Sequence, residues 1–100
     1  MKEPAQILEV DRLIHEPARL LIVTILSTAE KADFLCLLRE TGLTRGNLST
    51  HLSKLEAAGY VEIEKTYRGK LPLTLCSLTS TGQSAFEKYR TQIHQFLKSK

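Results

Sequence analysis

No run of apolar residues in this chain approaches the length that a bilayer-crossing helix needs. The opening residues Met1-Lys2-Glu3-Pro4 lack the apolar core of a secretory signal, which predicts a cytoplasmic protein. Cysteine is scarce. Cys36 and Cys76 are the two present, they stand far apart, and each sits in an apolar pattern, so buried free thiols are expected rather than a disulfide. Neither cysteine falls into a ligand spacing with His15, His51 or His94, and no metal and no cofactor is expected. A glycine-rich phosphate loop is missing, the histidines are scattered, and the acids lie mainly on solvent faces. These gaps argue against an enzyme. Repeats, low-complexity stretches and long linkers are absent as well.

What remains is an ordinary globular balance, 42% hydrophobic and 25% charged in 100 residues, enough for one domain over 1–100 with a modest core. The net charge of +3 is unevenly spread. Residues 1–43 hold five Lys/Arg against seven Asp/Glu, residues 44–70 hold five against three, and residues 71–100 hold four against one. A basic excess that begins at residue 44 permits a polyanionic partner.

Apolar residues are dense from Ile7 to Leu26. Proline is tolerated in the first turn of a helix, so Pro17 predicts a break near His15 and Glu16. A leading helix within residues 1–16 and a central buried helix from Pro17 to Leu26 follow. Asp33 is a plausible cap for a helix from Phe34 to about Thr41, closed by Gly42 in a left-handed conformation. Thr44 caps the next helix, in which Leu48, Leu52 and Leu55 recur at i, i+4 and i+7. Two helices joined by a short Gly-containing turn over 33–58 form a helix-turn-helix.

The pattern then changes period. Tyr60 to Lys65 and Leu73 to Leu78 alternate apolar with polar residues around a Tyr67-Arg68-Gly69-Lys70 turn, giving a hairpin over 60–78. Pro72 belongs at a strand start or an edge. A last helix over 80–98 is capped by Thr79 or Ser80, and Ser80 with Gln83 has capping-box spacing. The fold class is mainly α with a small β-hairpin, a winged helix-turn-helix.

The face opposite the leucine stripe is centred on Gly46, Thr50, Ser53 and Ala57, and it is small and polar. Gly46 costs roughly 1 kcal/mol against Ala in a helix interior, less near the first turn, and so calls for a reason. Close approach to DNA in a major groove supplies one. Asn47 suits adenine and Arg45 guanine; Ser49, Thr50 and Ser53 suit bases or phosphates; Lys54 and Thr44 suit phosphates. His51 flanks the apolar stripe, and a half-buried, hydrogen-bonded role is expected for it ahead of a DNA contact. Lys65, Arg68 and Lys70 cluster at the hairpin turn, where a basic tip suits phosphates or the minor groove. Duplex DNA is the expected partner. A protein-docking module is the competing reading; it would favour exposed apolar anchors on residues 44–57, where nothing larger than Ala57 is found.

The segment from Leu43 to Val61, and above all its Ser-x-His-Leu-x-x-Leu-x-x-x-Gly-aromatic-Val pattern, resembles the MarR/ArsR group of winged-helix regulators. Leu13 to Leu20 and Leu78 to Gly82 are similar to the first-helix motif and the last-helix entry of that group, and the likeness spans about residues 11–97. The resemblance implies a homodimer that reads a pseudo-palindromic operator, usually as a repressor, through contacts of its terminal helices. Leu8, Phe86, Tyr89, Ile93, Phe96 and Leu97 are the dimer candidates here; the last five are more than one short helix needs against so small a body, and packing within the monomer is an equal competing reading for any one of them. The closely spaced cysteine pair of the metal sensors is missing, so metal sensing is not carried over, and no effector is assigned.

Overall fold

The computed structural model describes residues 4–99; Met1–Glu3 and Lys100, and with them most of the opening tetrapeptide, lie outside the described residues. A 3-10 helix at Pro4–Glu9 is followed by α1 (Pro17–Ser27), β1 (Ala32–Asp33), α2 (Phe34–Thr41), α3 (Arg45–Ala57), β2 (Val61–Arg68), β3 (Leu71–Leu78) and α4 (Ser80–Lys98). Helices α2 and α3 are the helix-turn-helix, and β2 with β3 is the wing.

Local chemistry sets most of these boundaries. Glu16 has extended backbone and its side chain accepts from the Arg19 amide, with Pro17 as the first helical residue of α1. Asp33 caps α2 by accepting from the Cys36 amide, and Gly42 closes it at φ 70°. Thr44 caps α3 by accepting from the Asn47 amide. The wing turns on Gly69-Lys70, between the paired Arg68 and Leu71, with Gly69 at φ 64°. A two-residue turn with glycine in its first place matches the twist of the flanking strands.

The leading segment departs from the expected α-helix. It is a 3-10 helix ending at Glu9, and the chain then turns. The cause is Asp11, whose carboxylate accepts from the amides of Leu13 and Ile14 and from the Tyr60 hydroxyl. A side chain that captures nearby amides competes with helix continuation. The cap of α4 is Thr79, which accepts from the Gly82 amide, so the Ser80–Gln83 capping box does not form. Strand β1, between α1 and α2, is not among the expected elements. It has two residues, too few for any periodicity to show, and it pairs antiparallel with β3, Ala32 opposite Cys76 and Asp33 opposite Leu75. The sheet order is β1-β3-β2. Pro72 is therefore in the central strand, yet β1 reaches only residues 75 and 76, and the edge beside Pro72 is unpaired.

Ile14, Ile22, Val23, Leu26, Leu37, Leu48, Leu52, Leu55, Val61 and Cys76 form the core. Phe86 and Tyr89 join it at 5% exposure each. Cys76 is buried and Cys36 half-buried, and both are free thiols. Burial pushes the Cys76 thiol up to about 11, which keeps it protonated and inert.

Candidate nucleic-acid interface

The leucine stripe decides how α3 is presented. Leu48, Leu52 and Leu55 are buried, which turns the opposite face to solvent. Thr44, Arg45, Asn47, Ser49, Thr50, Ser53 and Lys54 are all exposed. Among the described residues, Thr44 alone of the seven uses its side chain inside the protein, holding the Asn47 amide at 3.1 Å. The first turn of α3 thus keeps other amides free at the positive end of its dipole, beside Arg45. Ser49, Thr50, Ser53, Lys54 and Ala57 line a shallow, open concavity of about 410 Å³ along this face.

Gly46 bears on the same point. A Cβ built there meets nothing within 4 Å. Neither a positive φ nor a neighbouring group in the chain requires glycine at this position. The space over Gly46 is therefore open.

The wing residues Lys65, Arg68 and Lys70 are exposed and form no ion pair among the described residues. Tyr67 and Leu71, each 70% exposed, flank them at the tip. The sequence pattern assigned these two no role, because strand alternation does not reveal where a hairpin outruns the body it packs on.

The last helix divides the dimer candidates. Phe86 and Tyr89 pack into the protomer's own core at 5% exposure each, because the body beneath α4 is deep enough to take both rings, and they also line the floor of the groove beside α1. Leu8 and Leu97 are exposed at 67% and 66%, and Ile93 and Phe96 are half-buried. Leu20 and Thr24 of α1, with Arg90, Ile93 and Leu97 of α4, line a groove of about 690 Å³.

Beneath the interface lies a set of polar contacts that sequence reading missed, apart from the half-buried His51. The Arg19 guanidinium donates from Nε to the Leu13 carbonyl at 2.6 Å and from Nη1 to His51 Nδ1 at 3.1 Å. The Arg19 amide at the helix cap, with the charge of the Arg19 guanidinium, holds the Glu16 carboxyl below its usual range. His15 Nδ1 is 2.7 Å from the Tyr89 hydroxyl. The hydrogen bond to Asp11, together with burial, pushes the Tyr60 hydroxyl up to about 12. These pairs are up to 74 residues apart, and no local pattern announces them. Among the described residues no three His, Cys, Asp or Glu side chains converge as metal ligands.

The winged helix DNA-binding domain family matches this chain over residues 18–97. The chain belongs to that family. An uncharacterized protein of Methanocaldococcus jannaschii is 33% identical over 88 residues, which covers 88% of this chain and 96% of the relative. The solved structure of a transcriptional regulator homologue from Pyrococcus horikoshii superposes with a TM-score of 0.88 at 26% identity, covering 99% of this chain and 97% of that one. A protein of Enterococcus faecalis assigned to the MarR family of transcriptional regulators shares the fold, with a TM-score of 0.77 at 20% identity over 95% of this chain and 86% of its own. The fold is α+β and MarR-like, and the family is one of DNA-binding transcription regulators rather than enzymes. Among the described residues no helix is long and apolar enough to cross a membrane.

Proposed function

We propose that this protein is a sequence-specific repressor that acts in the cytoplasm as a homodimer on a pseudo-palindromic operator. The observation that carries this reading is the outward face of α3, where Arg45, Asn47, Ser49, Thr50, Ser53 and Lys54 stand exposed with no partner for their side chains among the described residues. In this reading the helix enters the major groove, where Asn47 and Arg45 read base edges. Thr44 and Lys54 hold phosphates and fix the register. Lys65, Arg68 and Lys70 grip the flanking phosphates from the wing.

Dimerisation is supported by the apolar surface at the other end. Leu8 and Leu97 are largely exposed, and Ile93 and Leu97 line the groove that α4 forms with α1. A second copy placed there would bury them and present two α3 helices to successive major grooves. Repression follows from the resemblance to MarR/ArsR regulators, since a bound dimer occludes the DNA it covers.

Selection of duplexes from a random library, followed by sedimentation of the free protein and of the complex, tests all three parts. The expected outcome is an inverted-repeat site occupied by two copies, with affinity that falls steeply as salt rises. Enrichment of no sequence above the starting pool would leave the protein without sequence specificity.

A further inference from the structure

Apolar burial is non-directional. Leu48, Leu52 and Leu55 anchor α3 to the core and fix which of its faces is buried. A hydrogen bond adds a directional constraint on the small rotations about the helix axis that dispersion contacts resist less sharply. Among the described residues, the side-chain hydrogen bond from the body to α3 is the one between Arg19 Nη1 and His51 Nδ1, at 3.1 Å. It joins α1 to the middle of α3, beside Thr50 and one turn from Asn47 and Lys54. The joint is well built. The Arg19 and His51 side chains are 12% and 19% exposed, and Arg19 is also held by the Leu13 carbonyl at 2.6 Å.

The donor and acceptor roles in this bond are fixed by chemistry. A guanidinium only donates and stays charged, so the imidazole nitrogen facing it must accept. His51 is therefore neutral in this arrangement, with its proton on Nε2. Glu16 Oε1 lies 4.0 Å from Arg19 Nη1 and 4.0 Å from His51 Nδ1. A proton on Nδ1 would abolish the acceptor, set two cations side by side, and turn the imidazole toward Glu16. Among the described residues the charged groups recorded against His51 are Arg19 of α1 and Glu16, the cap of that helix, and Lys54 follows three positions on along its own helix. Among the described residues no side chain of α2, the sheet or α4 hydrogen-bonds or ion-pairs with it.

We infer that Arg19 is a positioning residue that sets the rotation of the recognition helix through neutral His51. Preference for one DNA sequence over another then depends on this joint, whereas attraction to phosphates does not. The inference rests on the DNA-binding reading above. Base readout tolerates displacements of only about half an ångström, so loss of the joint degrades specificity before it degrades affinity.

The test uses the full chain, a duplex selected at about pH 8, and a random-sequence duplex, each titrated between about pH 8 and about pH 5.5, the range in which histidine as a residue type changes charge. The quantity read is the ratio of the two affinities. Charge gained elsewhere on the chain acts on both duplexes and cancels in the ratio. In the parent the ratio falls about tenfold toward low pH, the scale of one charge-assisted hydrogen bond. His51→Asn places an amide oxygen, an acceptor that does not titrate, where Nδ1 stands; it keeps the ratio at both ends of the range. Arg19→Lys cannot serve both the Leu13 carbonyl and His51, and its ratio is low throughout while its circular dichroism spectrum stays native. A pH profile shared by the parent and His51→Asn, or a full ratio in Arg19→Lys at about pH 8, overturns the joint but leaves DNA binding standing. A parent that prefers no duplex at any pH overturns the DNA-binding reading and the joint together.

Discussion

The two ends of this molecule leave opposite kinds of surface uncovered. On the outward face of α3 the exposed side chains from Arg45 to Lys54 are small and polar or basic and lack partners among the described residues, and the wing adds the exposed Lys65, Arg68 and Lys70 beside Tyr67 and Leu71 at its tip. On α4 and the segment before α1 the exposed side chains include Leu8 and Leu97. Polar groups in water are already satisfied, so the first surface is stable as it stands and gains a partner only when that partner offers matching chemistry. Exposed leucine is unfavourable in water, so the second surface gains from almost any apolar cover. The first is therefore suited to specific, salt-sensitive recognition, and the second to association of copies.

The most drastic way to break this contrast is at the joint between the two ends. A Cβ at Gly82 would collide with the Tyr60 backbone, where α4 starts across the root of the wing. Gly82→Ala is expected to destabilise the fold by about 1–3 kcal/mol or more, because backbone must move, and urea unfolding measures it. Next, Asn47→Ala should cost about 1–3 kcal/mol of discrimination at one base pair of a selected operator while leaving unfolding unchanged. Unaltered discrimination across an operator-mutant series would remove Asn47 from base readout.

Leu97→Lys acts on the other end alone. It should weaken dimerisation by about 2 kcal/mol, the scale of burying one leucine, as read by sedimentation equilibrium, with monomer unfolding unaffected. Arg68→Ala should lower affinity for all duplexes alike and reduce the salt slope by about 1; a sequence-dependent loss would move Arg68 from phosphate contact to readout. The smallest effect is the sharpest test of the contrast. Gly46→Ala should stabilise the fold by somewhat less than about 1 kcal/mol, since glycine is the poorer helix former and nothing in the chain occupies the space. In the same variant DNA affinity should fall. A gain in stability with unchanged DNA binding would show that the face does not approach DNA at Gly46.

Legibility in the sequence followed the range of the interactions. Thr44, Asp33, Gly42 and Gly69 act on residues within a few positions, and the caps and turns they predict are those observed. The stripe of Leu48, Leu52 and Leu55 fixed which face of α3 is buried, and therefore which side chains are offered to a partner. Strand β1 escaped notice because two residues carry no period. The leading segment was misread because apolar density suggested an α-helix, while Asp11 captured the amides that would have continued one. Phe86 and Tyr89 read as surplus for a short helix, because a pattern gives the face of a residue and not the depth of what lies beneath it.

The sequence alone thus determined the helices and hairpin from Pro17 onward, most of their caps and turns, and the outward polar face of the recognition helix, because each depends on neighbours along the chain. Only the tertiary structure decided the Arg19–His51 joint, the passage of Gly82 over Tyr60, and the division of α4 between core and open surface. Those features join residues dozens of positions apart, and their energies exist only once packing has brought the partners together.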